Sequence, residues 1–319
     1  MTPTIRRATA DDADLDAIVR IVNEVAPEDS TSIEELRWSD ATYPGGARFL
    51  AEVDGRPVGV ASVGRIYMHP PEYPALWGTL AVLPDARRQG IGAGLLTAIS
   101  GEARIAGKPT LHIPAIESRP EGIEFLLHRG FDEYERAKAV ELPLAGRTAP
   151  AIALPGGVDL HTLAERPDLV DGVHAVATEA FLDIPGGETP TAAGDLAEFR
   201  TRDVDRPSIP KAGFFVATET GTDKVVGYAS LLMLPGQANR KAWHDMTAVR
   251  RSWRGRGLAS ALKRATIGWA IDNGLEVLIT GNDIDNAPMR AVNARLGYQP
   301  TPDLLTMRGP LFDGMMGRT

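Results

Sequence analysis

A glycine-rich basic loop in the second half of the sequence has the residue types needed to hold a phosphate group. An apolar run ends at Val249, and the pattern predicts a helix that begins near Leu258. The first N–H groups of a helix have no partner within it, and they lie at the positive end of its dipole. Two glycines let the backbone approach a ligand closely, and two arginines can add charge-assisted hydrogen bonds. The loop therefore predicts a pyrophosphate-binding site. Its residues are Val249, Arg254, Gly255, Arg256, Gly257, Leu258, Ala259 and Ser260.

The same arrangement occurs earlier in the chain. Val82 precedes Val249 by 167 positions, and Gly130, which follows the first loop, precedes Gly297 by the same 167 positions. Two separate landmarks repeated at one spacing without a gap indicate a tandem duplication, with one unit in each half. The first loop is therefore a second candidate for the same ligand. Its residues are Val82, Arg87, Arg88, Gln89, Gly90, Ile91, Gly92 and Ala93.

Strands and helices alternate around both loops. In the first half, Asp11 or Asp12 can cap a helix, and Asp54-Gly55 predicts a hairpin turn between two apolar strands. The second half repeats this order, and its helix from Leu258 carries an apolar stripe at helical spacing. In each half an apolar strand runs directly into the glycine-rich loop. The strand and the helix that follows it are thus the elements that must position the site.

Length and composition limit the number of domains, the kinds of partner and the compartment that can be expected. A chain of 319 residues favours two domains, predicted as 1–148 and 149–319, with a linker rich in Ala, Pro and Gly between Ala145 and Gly157. The net charge of −8 argues against a nucleic-acid surface. The absence of cysteine excludes disulfides and a thiol nucleophile and fits a reducing cytoplasm, where we expect the protein. No apolar run predicts a membrane span, and no histidine spacing predicts a metal site.

At these loops the sequence resembles the GNAT acyltransferase superfamily, whose signature is Arg/Gln-x-x-Gly-x-Gly/Ala after the fourth strand. The segments from Arg87 to Gly92 and from Arg254 to Ala259 both fit this pattern. The segment from Thr280 to Tyr298 resembles the later motif of the family, in a form typical of bacterial tandem GNAT proteins, a group that includes mycothiol synthase. The resemblance covers nearly the whole chain.

The resemblance implies a fold, a cofactor and a reaction. It implies an α/β fold of two tandem GNAT domains, each a mixed sheet flanked by helices and splayed between its fourth and fifth strands. Acetyl-coenzyme A is expected in the opening, with its pantetheine paired to the backbone of the fourth strand. The expected reaction is acetyl transfer to an amine of a small-molecule acceptor that no residue pattern identifies. We expect a monomer or a homodimer.

The two halves depart from the family in different ways. Many members use a tyrosine to protonate the departing thiolate, and the matching positions here are Leu126 and Asn293. Neither side chain is a titrating acid. The first half also has Glu117-Ser118-Arg119 where the second half has an Asn-rich turn. The second half is therefore predicted to be the catalytic one, and the first is predicted to be degenerate.

Acyl transfer from a thioester requires that the carbonyl oxygen be polarised and that the amine lose a proton. A backbone N–H near Val249 can supply the first. Asp245 is the candidate base, because it shares a strand face with Thr247 and Val249 if the strand is regular. His244 is the alternative base. For each of the two, the competing interpretation is a satisfied polar residue on the strand or at its edge.

Two asparagines complete the set of candidates. Asn293 can hold a water or the sulfur of coenzyme A, or it can bond a turn. Asn286 precedes Ala287-Pro288, so it is predicted as a helix N-cap, with a contact to coenzyme A as an additional role.

Other phosphate-binding classes fit less well. A dinucleotide site would need its glycines directly after a strand, but here a charged loop intervenes, and no Gly-Lys-Ser/Thr motif is present for a phosphate loop of the Walker type. The alternative that stays open is a non-catalytic protein that binds acyl-coenzyme A as a sensor or sequesters its ligand.

Overall fold

The chain folds into two α/β units, described here over residues 3–186, 188–236 and 240–314 of a computed structural model. The first unit comprises the chain up to Arg136 together with the segment from Asp303 onward, and the second comprises Ala137–Pro302. Among the described residues, no helix has the length and apolar character required to cross a bilayer.

The first unit has one mixed sheet and four helices. Its sheet order is β1-β2-β3-β4-β5-β13, in which only β4 and β5 are parallel. The elements are β1 Thr4–Arg7, α1 Asp12–Val25, α2 Ile33–Thr42, β2 Ala47–Val53, β3 Arg56–Arg65, β4 Ala75–Val82, α3 Ile91–Ile105, β5 Thr110–Ile116, α4 Pro120–Leu127 and β13 Leu304–Pro310.

The second unit has the same architecture. Its sheet order is β6-β11-β10-β9-β8-β7, with β10 and β11 parallel and β12 on β6. The elements are β6 Asp132–Pro143, β7 Val158–Thr162, α5 Val170–Phe181, α6 Leu196–Phe199, β8 Phe215–Glu219, β9 Val225–Met233, β10 Lys241–Val249, α7 Leu258–Asp272, β11 Val277–Asp283, α8 Ala287–Leu296 and β12 Gln299–Pro300. The α/β fold, with mixed parallel and antiparallel strand pairing in each unit, is therefore confirmed.

Local sequence signals explain several boundaries. The Asp11 side chain accepts a hydrogen bond from the N–H of Asp14 and caps α1, and Ser32 accepts from the N–H of Glu35 and caps α2. Asp54 and the glycine after it both adopt positive φ, which is the geometry of the predicted tight hairpin between β2 and β3.

From the glycine-rich loop to the strand after the next helix, the duplication is visible in the structure without any insertion. Helix α7 follows α3 and strand β11 follows β5 at an offset of 167 residues at both ends. The offset also relates Gly90 (φ +82°) to Gly257 (φ +85°), the residues that precede these two helices. The two loops thus have equivalent positions in equivalent units.

The two sequence halves exchange their closing strands. Strand β13, at the end of the second half, pairs with β5 in the first unit, while β6 from Ala137 onward pairs with β11 in the second unit. The boundary after residue 148 marks the ends of the sequence repeats, and it remains a prediction for the domains.

Candidate active site

Strands β10 and β11 open into a V beyond their first three residues. They pair only through Lys241–Val277, Ala242–Leu278 and Trp243–Ile279, although both strands continue for several residues. Beyond that point the facing edge of β10 is unpaired, so its backbone groups can receive a ligand as an added strand would. Strands β4 and β5 open in the same way after Trp77 and His112.

The alternation of hydrogen bonds shows which backbone groups of β10 face the opening. The N–H of Arg250 donates to the carbonyl of Val226, so the neighbouring pair of Val249 and Gly227 is a non-hydrogen-bonded pair of the antiparallel ladder. The N–H groups of Val249 and of Thr247, two residues earlier, therefore point away from β9 and into the V. They are donors of the kind that polarises a carbonyl oxygen.

The glycine-rich loop after β10 presents further donors. Gly255 and Gly257 have φ of +75° and +85°, and a Cβ at either position would meet no atom within 4 Å. Within the described residues, the N–H groups from Gly255 to Ser260 have no protein acceptor. The loop therefore leaves open space beside a row of donors, as the prediction of a pyrophosphate site requires.

The basic side chains of this loop are partly engaged by the protein. Arg254 donates from Nε to the carbonyl of Val249 (3.0 Å) and pairs with Asp183 (2.8 Å). Arg251 also pairs with Asp183, and the two arginines lower the pKa of that carboxyl to about 2. The guanidinium of Arg256 lies 4.7 Å from the ring centroid of Trp253 and forms no ion pair with any residue that the structure describes. Arg256 is thus the arginine of the loop best placed to meet a phosphate.

The first loop keeps the backbone geometry of the second. Arg87 donates from Nε to the carbonyl of Val82 at 3.1 Å, as Arg254 does to Val249. One difference is that Arg88, with φ +64°, stands where the second loop has a glycine, so a left-handed conformation is imposed on a side chain that disfavours it. Gly92 lies against the ring of Phe125. Gln89, Gly90, Ile91 and Ala93 complete this loop.

A β-bulge in β10 places Asp245 differently from the expectation. The register with β9 shifts between His244 and Thr247, so β10 is not regular here. Val249 packs with α7, whereas Met246 and Ala248 pack with α5 on the other face. The prediction that Asp245 shares a face with Thr247 and Val249 is therefore wrong, because its premise of a regular strand fails.

Asp245 lies on the α5 face of the sheet, in a group of polar residues that includes Ser230, Asp203 and Arg206. Its carboxylate accepts a hydrogen bond from Ser230 Oγ at 3.2 Å and remains accessible to solvent. Desolvation by the surrounding protein nevertheless raises its pKa, against the opposing charges of Arg206 and Arg202. An accessible carboxyl with few hydrating waters can reach a small molecule and accept its proton.

Asp203 is the second carboxyl in this group of polar residues. It forms a bidentate pair with Arg202 (2.6 and 2.9 Å), yet burial raises its pKa to about 6, and the charge of Asp245 adds to this rise. Strand β4 has no register shift and carries Gly78 at the position of Asp245. Of the two equivalent strands β4 and β10, only β10 has the bulge and a carboxyl at this position.

His244 lies in the core, on the α7 side of β10. It is 1% exposed, and its two ring nitrogens bond to Tyr298 Oη (2.8 Å) and Thr266 Oγ1 (2.9 Å). Burial lowers its pKa well below the ordinary value. These contacts fit a structural histidine with no nitrogen left for an acceptor amine.

The two candidate asparagines have different surroundings. Asn286 caps α8 by accepting from the N–H of Met289 at 3.3 Å, so the N-cap prediction is confirmed. Asn293 is 1% exposed and donates to Asn282 Oδ1 at 2.7 Å, while its own Oδ1 has no partner among the described residues. Thr247 Oγ1, on the strand that faces the V, is likewise buried without a partner.

Sequence reasoning missed several polar residues of this region. Ser230 and Asp203 have no motif, and only the bulge brings them to Asp245. Lys263 did leave a signal, because it interrupts the apolar face of α7 at the position where the first half has Leu96.

The family model described as "Acetyltransferase (GNAT) family" matches this chain twice, over residues 15–131 and 179–298. Two relatives are each named mycothiol acetyltransferase. The one from Amycolatopsis mediterranei (strain U-32) is 26% identical over 92% of this chain and 94% of its own length. The one from Rhodococcus opacus (strain B4) is 28% identical over 80% of each chain.

Two solved structures have the same fold. A tandem GNAT protein from the clavulanic acid biosynthesis pathway has a TM-score of 0.75 and 21% identity, over 97% of this chain and 98% of its own. A GCN5-related N-acetyltransferase from Sphaerobacter thermophilus has a TM-score of 0.69 and 20% identity, over 98% and 97%.

Proposed function

The chain belongs to the GNAT acetyltransferase family and is an N-acyltransferase, and on this premise we propose that its second half transfers acetyl from acetyl-coenzyme A to a small-molecule amine. The observation that carries the proposal is the bulged strand β10. Its open edge, the donors of the loop after Val249 and the carboxyl of Asp245 adjoin one another in the second unit.

The residues of this unit fit the cofactor. The free N–H groups from Gly255 to Ser260, with Arg256 beside them, suit a pyrophosphate. The unpaired edge of β10 suits the amides of pantetheine, and the N–H of Val249 suits the thioester oxygen. Acetyl-coenzyme A would supply an activated acyl group and a thiol leaving group. The equivalent loop from Val82 to Ala93 is a second binding candidate, but the strand before it has Gly78 at the position of Asp245.

We assign the role of base to Asp245. A raised pKa brings a carboxylate closer to the pKa of an amine and so makes proton transfer less unfavourable. His244 has no part in this proposal, because both of its ring nitrogens are engaged in the core.

The names of the relatives indicate which acceptor to test first. Both relatives described above carry names that indicate acetylation of mycothiol, and a mycothiol-type amine is therefore the first acceptor to test. Other polyhydroxylated and aminoglycosidic amines complete the panel.

The experiment is a thiol-release assay with acetyl-coenzyme A and this panel. The chain has no cysteine, so with a thiol-free amine every thiol that a disulfide reagent detects comes from coenzyme A. For a thiol-bearing amine such as a mycothiol-type acceptor, the loss of the thioester absorbance is followed instead. We expect release that depends on one class of amine and that Asp245→Asn strongly reduces. Thermal melts with coenzyme A serve as the binding control. A clear melting shift without release from any amine would favour the sensor alternative instead.

A further inference from the structure

Lys263, in the second turn of α7, is an almost fully buried lysine close enough to His244 for its charge to lower the pKa of that ring. It is 2% exposed, and its ammonium has no hydrogen bond or ion pair within the described part of the chain. Its Nζ lies 5.4 Å from the centroid of the Tyr298 ring. Burial lowers its pKa to about 7. Burying an unpaired ammonium is unfavourable, so the position calls for a partner that the protein itself does not supply.

The contacts of α7 locate this ammonium along β10. Thr266, one turn after Lys263, bonds to His244 at the point where β10 and β11 separate. Leu262, the preceding residue, packs with Val249 at the end of β10. Lys263 therefore lies beside the middle of the open edge, on the α7 face of the sheet.

Two other polar groups of this region also lack partners. Thr247 Oγ1, on the same stretch of β10, and Asn293 Oδ1, on α8, are both buried without a hydrogen bond among the described residues. At the three equivalent positions the first unit has only leucines. They are Leu80, Leu96 and Leu126, and all three belong to its apolar core.

We propose that Lys263, Thr247 and Asn293 together form the subsite for the leaving thiolate of the acyl donor, in which Lys263 and Thr247 donate to sulfur and Asn293 Oδ1 accepts the S–H of the thiol once it is protonated. The proposal rests on the function proposed above, and it explains why three leucines of one unit are replaced by three unpaired polar groups in the other. An ammonium and a hydroxyl can donate to sulfur, and a cation stabilises a thiolate in a dry site. Asp245 lies on the opposite face of the same strand, so acid and base approach the thioester from opposite sides.

The transfer step balances with these groups. The amine nitrogen forms a bond to the acyl carbon and gives its proton to the Asp245 carboxylate. The bond between the acyl carbon and sulfur breaks, and its electron pair stays on sulfur. The ammonium of Lys263 then gives a proton to sulfur. Solvent takes the proton from Asp245 and returns one to Lys263 before the next cycle.

The test uses coenzyme A alone, so it needs no acceptor. The ultraviolet absorbance of the thiolate is titrated with pH for free coenzyme A and for its complexes with the wild-type protein and with Lys263→Met. A thiolate and an ammonium that are close together stabilise each other, so the bound thiol should ionise with a pKa lower by about 1 or more, while Lys263 stays protonated to higher pH than in the free protein. We expect that lowering in the wild-type complex and its loss in Lys263→Met. Lys263→Arg keeps the charge and should restore part of the lowering.

The outcomes separate the two proposals. A thiol pKa in the wild-type complex equal to that of free coenzyme A overturns the subsite, as does an equal lowering in wild type and Lys263→Met. Failure of coenzyme A to shift the melting temperature of the wild type overturns the proposed function, and the subsite with it. If Lys263→Met does not fold, the wild-type titration is decisive together with Thr247→Val, which should reduce the lowering.

Discussion

Replacement of Lys263 by methionine should stabilise the protein without its ligand, by an amount that depends on pH. The pKa of this lysine falls from 10.5 in the unfolded chain to about 7 in the folded protein. At about 1.4 kcal/mol for each pKa unit, the folded state opposes protonation by roughly 5 kcal/mol, and structural relaxation reduces this to an expected gain of about 2–4 kcal/mol. Methionine keeps the packing of the aliphatic stem.

The sign of the pH dependence follows from proton binding. Between pH 7 and pH 10.5 the unfolded chain holds a proton on Lys263 that the folded protein has lost, so this group makes the wild type more stable as pH rises through that window. Below pH 7 both states are protonated and the full penalty applies. The gain from Lys263→Met should therefore be largest near pH 6.5 and small near pH 10.

Urea unfolding at pH 6.5, 8 and 9.5 measures this gain. Lys224→Met is the matched control, because Lys224 is exposed and its pair with Glu219 lies at the surface, where such pairs contribute little. A gain that is equal at all three pH values, or a loss of stability at pH 6.5, would refute the account of an unpaired buried ammonium.

Three further perturbations probe both units. Gly257→Val and Gly90→Val introduce the same backbone strain, at φ of +85° and +82°. We expect Gly257→Val to lower the rate of thiol release at least tenfold and Gly90→Val to change it little. The reverse order would move the active site to the first half. Asp245→Asn should lower kcat/KM by about 10²–10⁴ and abolish the rise in rate as pH climbs through the raised pKa of this carboxyl, whereas an unchanged profile between pH 6 and 9 would exclude Asp245 as the base. Burial lowers the pKa of His112 to about 4, so the wild type loses stability as pH falls from 6.5 towards 4. His112→Ile, which copies Ile279 of the second unit, should reduce the free energy of unfolding lost over this range by roughly 3 kcal/mol, and an equal loss in both proteins would contradict this.

The features predicted from the sequence are those with a local cause. Gly255 and Gly257 are glycines where the chain needs positive φ, and Asp54-Gly55 selects a tight hairpin whatever the rest of the chain does. Ser32 signals a helix start in the same way, through one hydrogen bond to a residue three positions on. The duplication transfers each of these inferences to the other half.

Other features depend on contacts that no local pattern records. The bulge at Asp245 and Met246 contains no glycine, so alternation assigned the carboxyl to the wrong face. His244 looked reactive, but the core supplies partners for both of its nitrogens. The exchange of closing strands was also not predicted. The edges of β5 and β11 are equivalent after a duplication, so no local pattern in β6 or β13 indicates which of the two edges each strand joins.

That exchange has a consequence for synthesis on the ribosome. The first unit cannot complete its native sheet when its own half has emerged, because the strand that covers β5 in the folded protein comes after the whole of the second unit. At about 5–20 residues per second, the edge from Thr110 to Ile116 waits roughly 10–40 seconds for that partner. An uncovered edge with Leu111 and Ile113 beside it can pair with other chains, so the nascent protein should depend on chaperones during this interval.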